Sequence, residues 1–224
     1  MRTLRDAAEL LASADSIDSL APIAAAVDCV GGALPLDRDT RRSLGLDDNV
    51  LDARIAAGKG SLRGLLLVIA PHASLRDALT RIAGRLATRA PHVLWIVVAT
   101  QADTSELAIV AWTSERHPPR VAALVANRAH LVDSDAETLR ALGSATADHD
   151  LLVHSRWVEI LGRGALTIRF YRALERAVTT IAESSAVGPK EVRAEVALLD
   201  TSRLLFLSFL EAKGWLDDYR AFLS

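Results

Sequence analysis

Cysteine is almost missing from this sequence. Cys29 is the only one in 224 residues. A single thiol excludes a disulfide framework and any thiolate-based zinc site, since both need several. A dominant charge is missing too. Twenty-six Lys and Arg stand against 28 Asp and Glu, for a formal net charge of -2, which excludes a strongly basic nucleic-acid coat. No apolar run approaches the roughly 18 residues of a membrane span. The opening residues, MRTLRDAAELLASADS, lack the apolar stretch of a secretory signal. Lysine is scarce, three against 23 Arg, and with abundant alanine this reads as base composition of the genome. There is no internal repeat and no low-complexity tract. What is present is 50% apolar residues over a length that suits one large domain or two small ones and can bury a core. The expectation is a soluble, cytoplasmic, globular protein.

Chain order says more than composition. The first thirty residues read as two short helices, with Thr3 to cap the first and Ser16 or Ser19 the second. Pro22 is tolerable only in a first turn. From Gly31 to Gly64, Gly, Pro and Asp clusters are turn chemistry, a connecting region with one short helix after Asp39. Leu65–Ala70 is a continuous apolar run ended by Pro71, as in a strand buried on both faces. Ser74 then caps a helix whose Leu75, Ala78, Leu79, Ile82, Ala83, Leu86 and Ala87 form one stripe, with Arg81, Arg85 and Arg89 on the other side. Val93–Ala99 is a second buried strand, so residues 65–99 make a right-handed β-α-β unit with parallel strands. Leu107–Trp112 and Val121–Ala126 follow across short turns as antiparallel neighbours. Ser134-Asp135-Ala136-Glu137 reads as a capping box opening a helix through Leu142. The expected class is α+β (mixed α/β): a four-stranded mixed sheet of order β-α-β-β-β flanked by helices. That domain spans 1–147, with a helical start over 1–30 and the sheet over 65–126. Further strands in 31–62 are left open.

Beyond His149 the strand pattern stops, and 148–224 reads as an all-helical connector. Trp157–Leu161 is a short helical piece closed by Gly162-Arg163-Gly164. Residues 166–182 are amphipathic, with Leu166, Phe170, Leu174, Ala177, Val178 and Ile181 on one face. Gly188-Pro189 suits N-cap and N1 of a last long helix that Gly214 would end. Its final turns, Leu204–Leu210, are apolar almost all round, so they are buried here or against something else.

Most chemical motifs reduce to structural ones. Gly58-Lys59-Gly60-Ser61 lacks the preceding strand and the earlier Gly of a phosphate loop, and reads as a solvated loop. The six histidines, His72, His92, His117, His130, His149 and His154, show no metal-site spacing. A magnesium-dependent nuclease gathers carboxylates on adjacent strands to activate water. Asp103 and Glu115 are the candidates, but they bracket the Leu107–Trp112 strand and would not converge. Glu211-Ala212-Lys213 spells Glu-x-Lys at a helix end, where Lys suits the dipole. No serine nucleophile elbow appears. The Asn-Pro-Pro-Tyr of adenine methyltransferases is absent, and His117-Pro118-Pro119-Arg120 lacks its amide. Arg169, Arg172 and Arg176 share one helix face and suit a phosphate backbone, although Glu183 closes the same stripe as on an ordinary solvated face. Arg203 falls on the apolar stripe of Val192, Val196, Leu199, Phe206 and Leu210, so it is expected buried and paired with Asp200.

The second half resembles a known block. His154-Ser155-Arg156-Trp157-Val158-Glu159-Ile160-Leu161-Gly162, Ala165-Leu166-Thr167-Ile168-Arg169-Phe170-Tyr171 and the run from Ser202 to Leu216 are similar to the segment before the methyltransferase domain of Type IIG restriction–modification methylases and related phage-defence enzymes. The similarity covers about 154–223, is most specific in the last helix, and is weak over the first 150 residues. It implies a DNA-modifying bacterial enzyme that uses S-adenosylmethionine to methylate adenine at N6, with Mg where a nuclease is active. The catalytic segments themselves are not found, so Thr167, Phe170, Tyr171, Arg203 and Lys213–Leu216 carry over as architecture only. The expected role is a non-catalytic scaffold and DNA-contacting module. Its partner would be a methyltransferase domain or subunit against Leu204–Leu210, with double-stranded DNA and no membrane. The alternatives are a diverged Mg-dependent nuclease and a stand-alone dimerising protein.

Overall fold

The four apolar runs form the centre and one side of a six-stranded sheet in the computed structural model of the chain. The structure describes residues 3–46, 48–72, 74–113, 118–184 and 188–212; within the helices, the side chains of residues 164–169, 172 and 212 lie outside that description. The strands are β1 (Gly31–Pro35), β2 (Val50–Ala57), β3 (Leu62–Ile69), β4 (Leu94–Gln101), β5 (Glu106–Thr113) and β6 (Arg120–Asn127). They lie side by side in chain order. Only β3 and β4 are parallel, joined through α4 (Leu75–Arg89), and every other pairing is antiparallel. The β-α-β unit and the two antiparallel neighbours therefore stand as expected. The chain is a mixed α+β protein.

The sheet has six strands where four were expected, because the turn-rich stretch supplies two. β2 disguises itself with Asp52 and Arg54 in the middle of VLDARIAA. Both charges have partners: Asp52 with Arg41 at 3.1 Å and Arg54 with Asp18 at 2.5 Å. The small residues Ala53 and Ala56 face the two cores. β1 holds two glycines and a proline in five residues and exists only by pairing with β2. Tertiary pairing overrides local preference in both. The short helix expected nearby is α3 (Arg38–Leu44), capped by the Asp37 carboxylate on the Thr40 N–H at 2.7 Å.

Alternation along the strands splits the interior into two layers. Leu62, Leu66, Ile96, Val98, Leu107, Ile109 and Ala111 face α1 (Leu4–Ala12), α2 (Ile17–Ala26), α5 (Asp133–Gly143) and the start of α6 (Asp150–Ser184). Leu65, Leu67, Ile69, Trp95, Val97, Ala99, Ala108 and Val110 face α4, whose predicted stripe is buried at every position. At about 1.5–3 kcal/mol per fully buried large aliphatic side chain, these layers dominate stability.

Caps hold at Thr3, Ser16 and Ser74. Three local expectations need correction. Pro22 sits at the sixth residue of α2, not in its first turn, and is accepted on the exposed side of that helix. α5 starts at Asp133, so the Ser134–Glu137 box does not form; Asp135 instead accepts from the Val132 N–H at 3.2 Å. Finally, Gly162 and Gly164 do not end a helix. They lie inside α6, which runs 35 residues without interruption. Each costs about 1 kcal/mol against alanine, too little to break a helix held elsewhere.

The chain divides into two compact units, Met1–Ala165 and Leu166–Ser224. The expected boundary at 147/148 thus falls later, because the first turns of α6 belong to the sheet's core. The second unit contains the remainder of α6 and α7 (Lys190–Ala212). α7 begins just after Pro189, whose carbonyl accepts from the Arg193 N–H at 3.0 Å. Gly214 and Lys213–Leu216 lie outside the described residues.

Candidate partner-binding face

Helix α7 carries its apolar residues at Val192, Val196, Leu199, Phe206 and Leu210, the helical spacing of one face. A face of that composition in α4 is fully covered. In α7 it is open. Eight large apolar side chains of this helix, Val192, Val196, Leu198, Leu199, Leu204, Leu205, Phe206 and Phe209, are each between 38% and 61% exposed. Among its described side chains the two fully covered ones are small and lie on a different side, Ala197 at 1% and Thr201 at 8%, whose hydroxyl donates to the Ala197 carbonyl, while Leu207 and Leu210 are half-buried. The second half of α6 behaves similarly: Phe170 and Tyr171 stack edge to face at 5.8 Å while remaining 49% and 62% exposed.

Arg203 shares this open condition, which corrects its expected burial. Its guanidinium does face Asp200, at 3.8 Å, but the two side chains are 68% and 54% exposed. Val192, Val196, Leu199 and Phe206 of its stripe are exposed as well, so the charge stays hydrated. An exposed i, i+3 pair at that distance contributes only tenths of a kcal/mol.

The other candidates are placed as follows. Arg169, Arg172 and Arg176 occupy α6 at spacings of three and four, one face of a continuous helix. Arg176 is exposed, while the side chains of Arg169 and Arg172 lie outside the described residues. Asp103 is exposed in the β4–β5 turn with φ 58°. Around it Thr104 donates to the Gln101 carbonyl at 3.3 Å, and Arg128 donates to the Thr104 carbonyl at 2.6 Å. Glu115 and His117 lie outside the described residues. β5 alone separates the turn of Asp103 from Thr113 by about 24 Å at strand rise. Among the described residues, no group of three or more His, Cys, Asp and Glu is placed to hold a metal ion.

Two polar anchors hold the start of α6 and were not foreseen. Asp150 accepts from the Ser61 N–H at 2.7 Å and the Leu151 N–H at 2.8 Å. These donors hold its carboxyl below the ordinary value. Gly60 makes room for this clasp: at φ +58°, an added Cβ would stand 2.5 Å from Asp150 Oδ2. The Gly58–Ser61 turn, exposed at Lys59 and Gly60 as a solvated loop would be, is also a docking point for α6. One turn on, His154 is buried at 4%, with Nε2 3.0 Å from the Trp95 carbonyl. A carbonyl only accepts, so this nitrogen carries the proton. Burial pushes the imidazole pKa down, against the pull of that hydrogen bond. Trp157 stacks edge-on to it and donates from Nε1 to the Leu142 carbonyl at 3.2 Å. The sequence signal for the clasp was only a glycine-rich turn and an Asp before a helix, 89 residues apart.

Compared with known proteins, the chain matches no family model and no curated relative.

Proposed function

We propose that the chain is the N-terminal, non-catalytic scaffold module of a restriction–modification or phage-defence DNA methylase, working in the cytoplasm. The observation that carries this reading is the open apolar face of α7. Contiguous exposed apolar surface on a helix marks an interface, and the resemblance of this same segment names the occupant, an adenine-N6 methyltransferase domain supplied with S-adenosylmethionine. Within the first unit, Asp150, His154 and Trp157 fasten the start of α6 to the sheet's core, and the helices of the second unit receive the catalytic domain. Arg169, Arg172 and Arg176 add phosphate contacts to double-stranded DNA, a sequence-independent and salt-sensitive contribution.

The test is to purify the product of the complete gene, with any methylase encoded beside it, and assay methyl transfer to duplex DNA. A Leu199→Asp/Phe206→Asp variant is expected to lose both the association and the transfer while this chain keeps its fold by circular dichroism. A gene product that neither contains nor binds a methyltransferase and transfers no methyl group overturns the reading. So does full activity in the double variant.

A further inference from the structure

The two edges of the sheet are built differently. β1 has only five residues, contains Gly31, Gly32 and Pro35, and its register with β2 breaks between Gly31 and Leu34. Short length, proline and irregular pairing are the usual protections of an edge. β6 has none of them. It runs eight residues in unbroken register against β5, from Glu106↔Asn127 to Thr113↔Arg120. Its interior is Val121-Ala122-Ala123-Leu124-Val125-Ala126, without charge, proline or glycine. Val125 is 46% exposed, and residues 121–124 are half-buried. Among the described residues, no strand pairs with its outer side.

We propose that β6 pairs antiparallel with the β6 of a second copy, joining two sheets into one across a two-fold axis. The strand is self-complementary, which is what a two-fold interface requires. An axis normal to the sheet keeps each face on its own side, and directly opposed residues share a face, so the paired numbers must sum to an even total. Centring on Leu124 would oppose Arg120 to Arg128, like against like, which is disfavoured. Centring on Ala123 opposes Val121 to Val125 and Ala122 to Leu124, with Arg120 against Ala126. Both layers then continue across the axis, because Ala122 and Leu124 pack with one core, and Val121 and Ala123 with the other.

This register has a direct test. In the whole chain, Ala123→Cys sets two new thiols opposite each other with Cα atoms about 4.5–5.5 Å apart, within disulfide reach. The native thiol does not compete, since Cys29 is 2% exposed and its pKa is raised to about 11 by burial and by Asp28. Mild oxidation is expected to give a disulfide dimer of Ala123→Cys on a non-reducing gel. Arg38→Cys, exposed on α3, is the control and is expected to stay monomeric. Sedimentation should show the wild-type chain at twice the monomer mass, and Val125→Lys at the monomer mass with an unchanged circular dichroism spectrum. Wild type that is monomeric throughout, a dimer that survives Val125→Lys, or Ala123→Cys that cross-links no better than the control overturns the proposal. A dimer surviving that substitution would place the contact elsewhere.

Discussion

Helices α4 and α7 carry the same kind of sequence and meet opposite fates. In α4, Leu75, Ala78, Leu79, Ile82, Ala83, Leu86 and Ala87 are all at most 3% exposed. In α7, Val192, Val196, Leu199 and Phe206 remain 48–61% exposed. Periodicity states which side of a helix is apolar. It says nothing about whether the same chain supplies the cover. α4 has a sheet beneath it, built from alternating residues of β3, β4 and β5. Among the described residues of α7, Ala197 and Thr201 are fully covered and Leu207 and Leu210 half-covered, while eight of its large apolar side chains stay exposed.

Substitutions can sharpen that contrast. The largest effect belongs at the base of α6, where Trp157→Ala removes a buried indole together with its Nε1 hydrogen bond to the Leu142 carbonyl. A loss of about 3–5 kcal/mol is expected from urea unfolding. In α4, Leu79→Ala should cost about 2–5 kcal/mol by the same measurement. The matching change in α7, Phe206→Ala, should stay within about 0.5 kcal/mol in the isolated chain. Equal costs at Leu79 and Phe206 would break the comparison.

Gly60→Ala comes next. It strains a positive φ and pushes on the Asp150 carboxylate, so a loss of more than about 1 kcal/mol is expected in thermal melts. Acid acts on the same region through His154. Its folded pKa lies below the unfolded value of about 6.5, so the unfolded chain binds more protons as pH falls through that value. Stability should be complete above neutrality and decline as pH drops toward the folded pKa. His154→Gln keeps an N–H donor without titrating, and its melting temperature should vary less over this window. Asp37 and Asp150 act lower still: both are held below the ordinary carboxylate pKa, chiefly by backbone N–H donors. Their contribution is present above about pH 4 and is lost as pH falls through the folded values. The smallest effect is expected at Arg203→Ala, a few tenths of a kcal/mol, because its ion pair is exposed.

Much of the first unit was legible in sequence because each local cue agreed with the fold. Val97, Val98 and Ala99 are apolar on both faces because the central sheet is covered on both. Ser74 and Thr3 cap where hydroxyl and helix start coincide. The misses have physical causes. Asp52 and Arg54 hide β2 because their partners, Arg41 and Asp18, come from other elements. Gly162 suggests a stop that Trp157 and Leu161 override by holding the preceding turns in the core. The candidate face is legible as an apolar stripe, and the all-round apolar Leu204–Leu210 already asks for a cover inside or outside the chain; the sequence does not say which, so the exposure of Arg203 is not legible. The Asp150 clasp and the His154–Trp95 bond join residues distant in sequence, which no spacing rule anticipates.

The most direct measurement is amide hydrogen exchange along Lys190–Ala212, with the chain alone and with the methyltransferase domain present. Slower exchange of α7 on adding that domain, with α4 protected equally in both, is the expected result. Unchanged exchange of α7 beside a domain that still methylates DNA would contradict the claim that this face is where the catalytic domain sits.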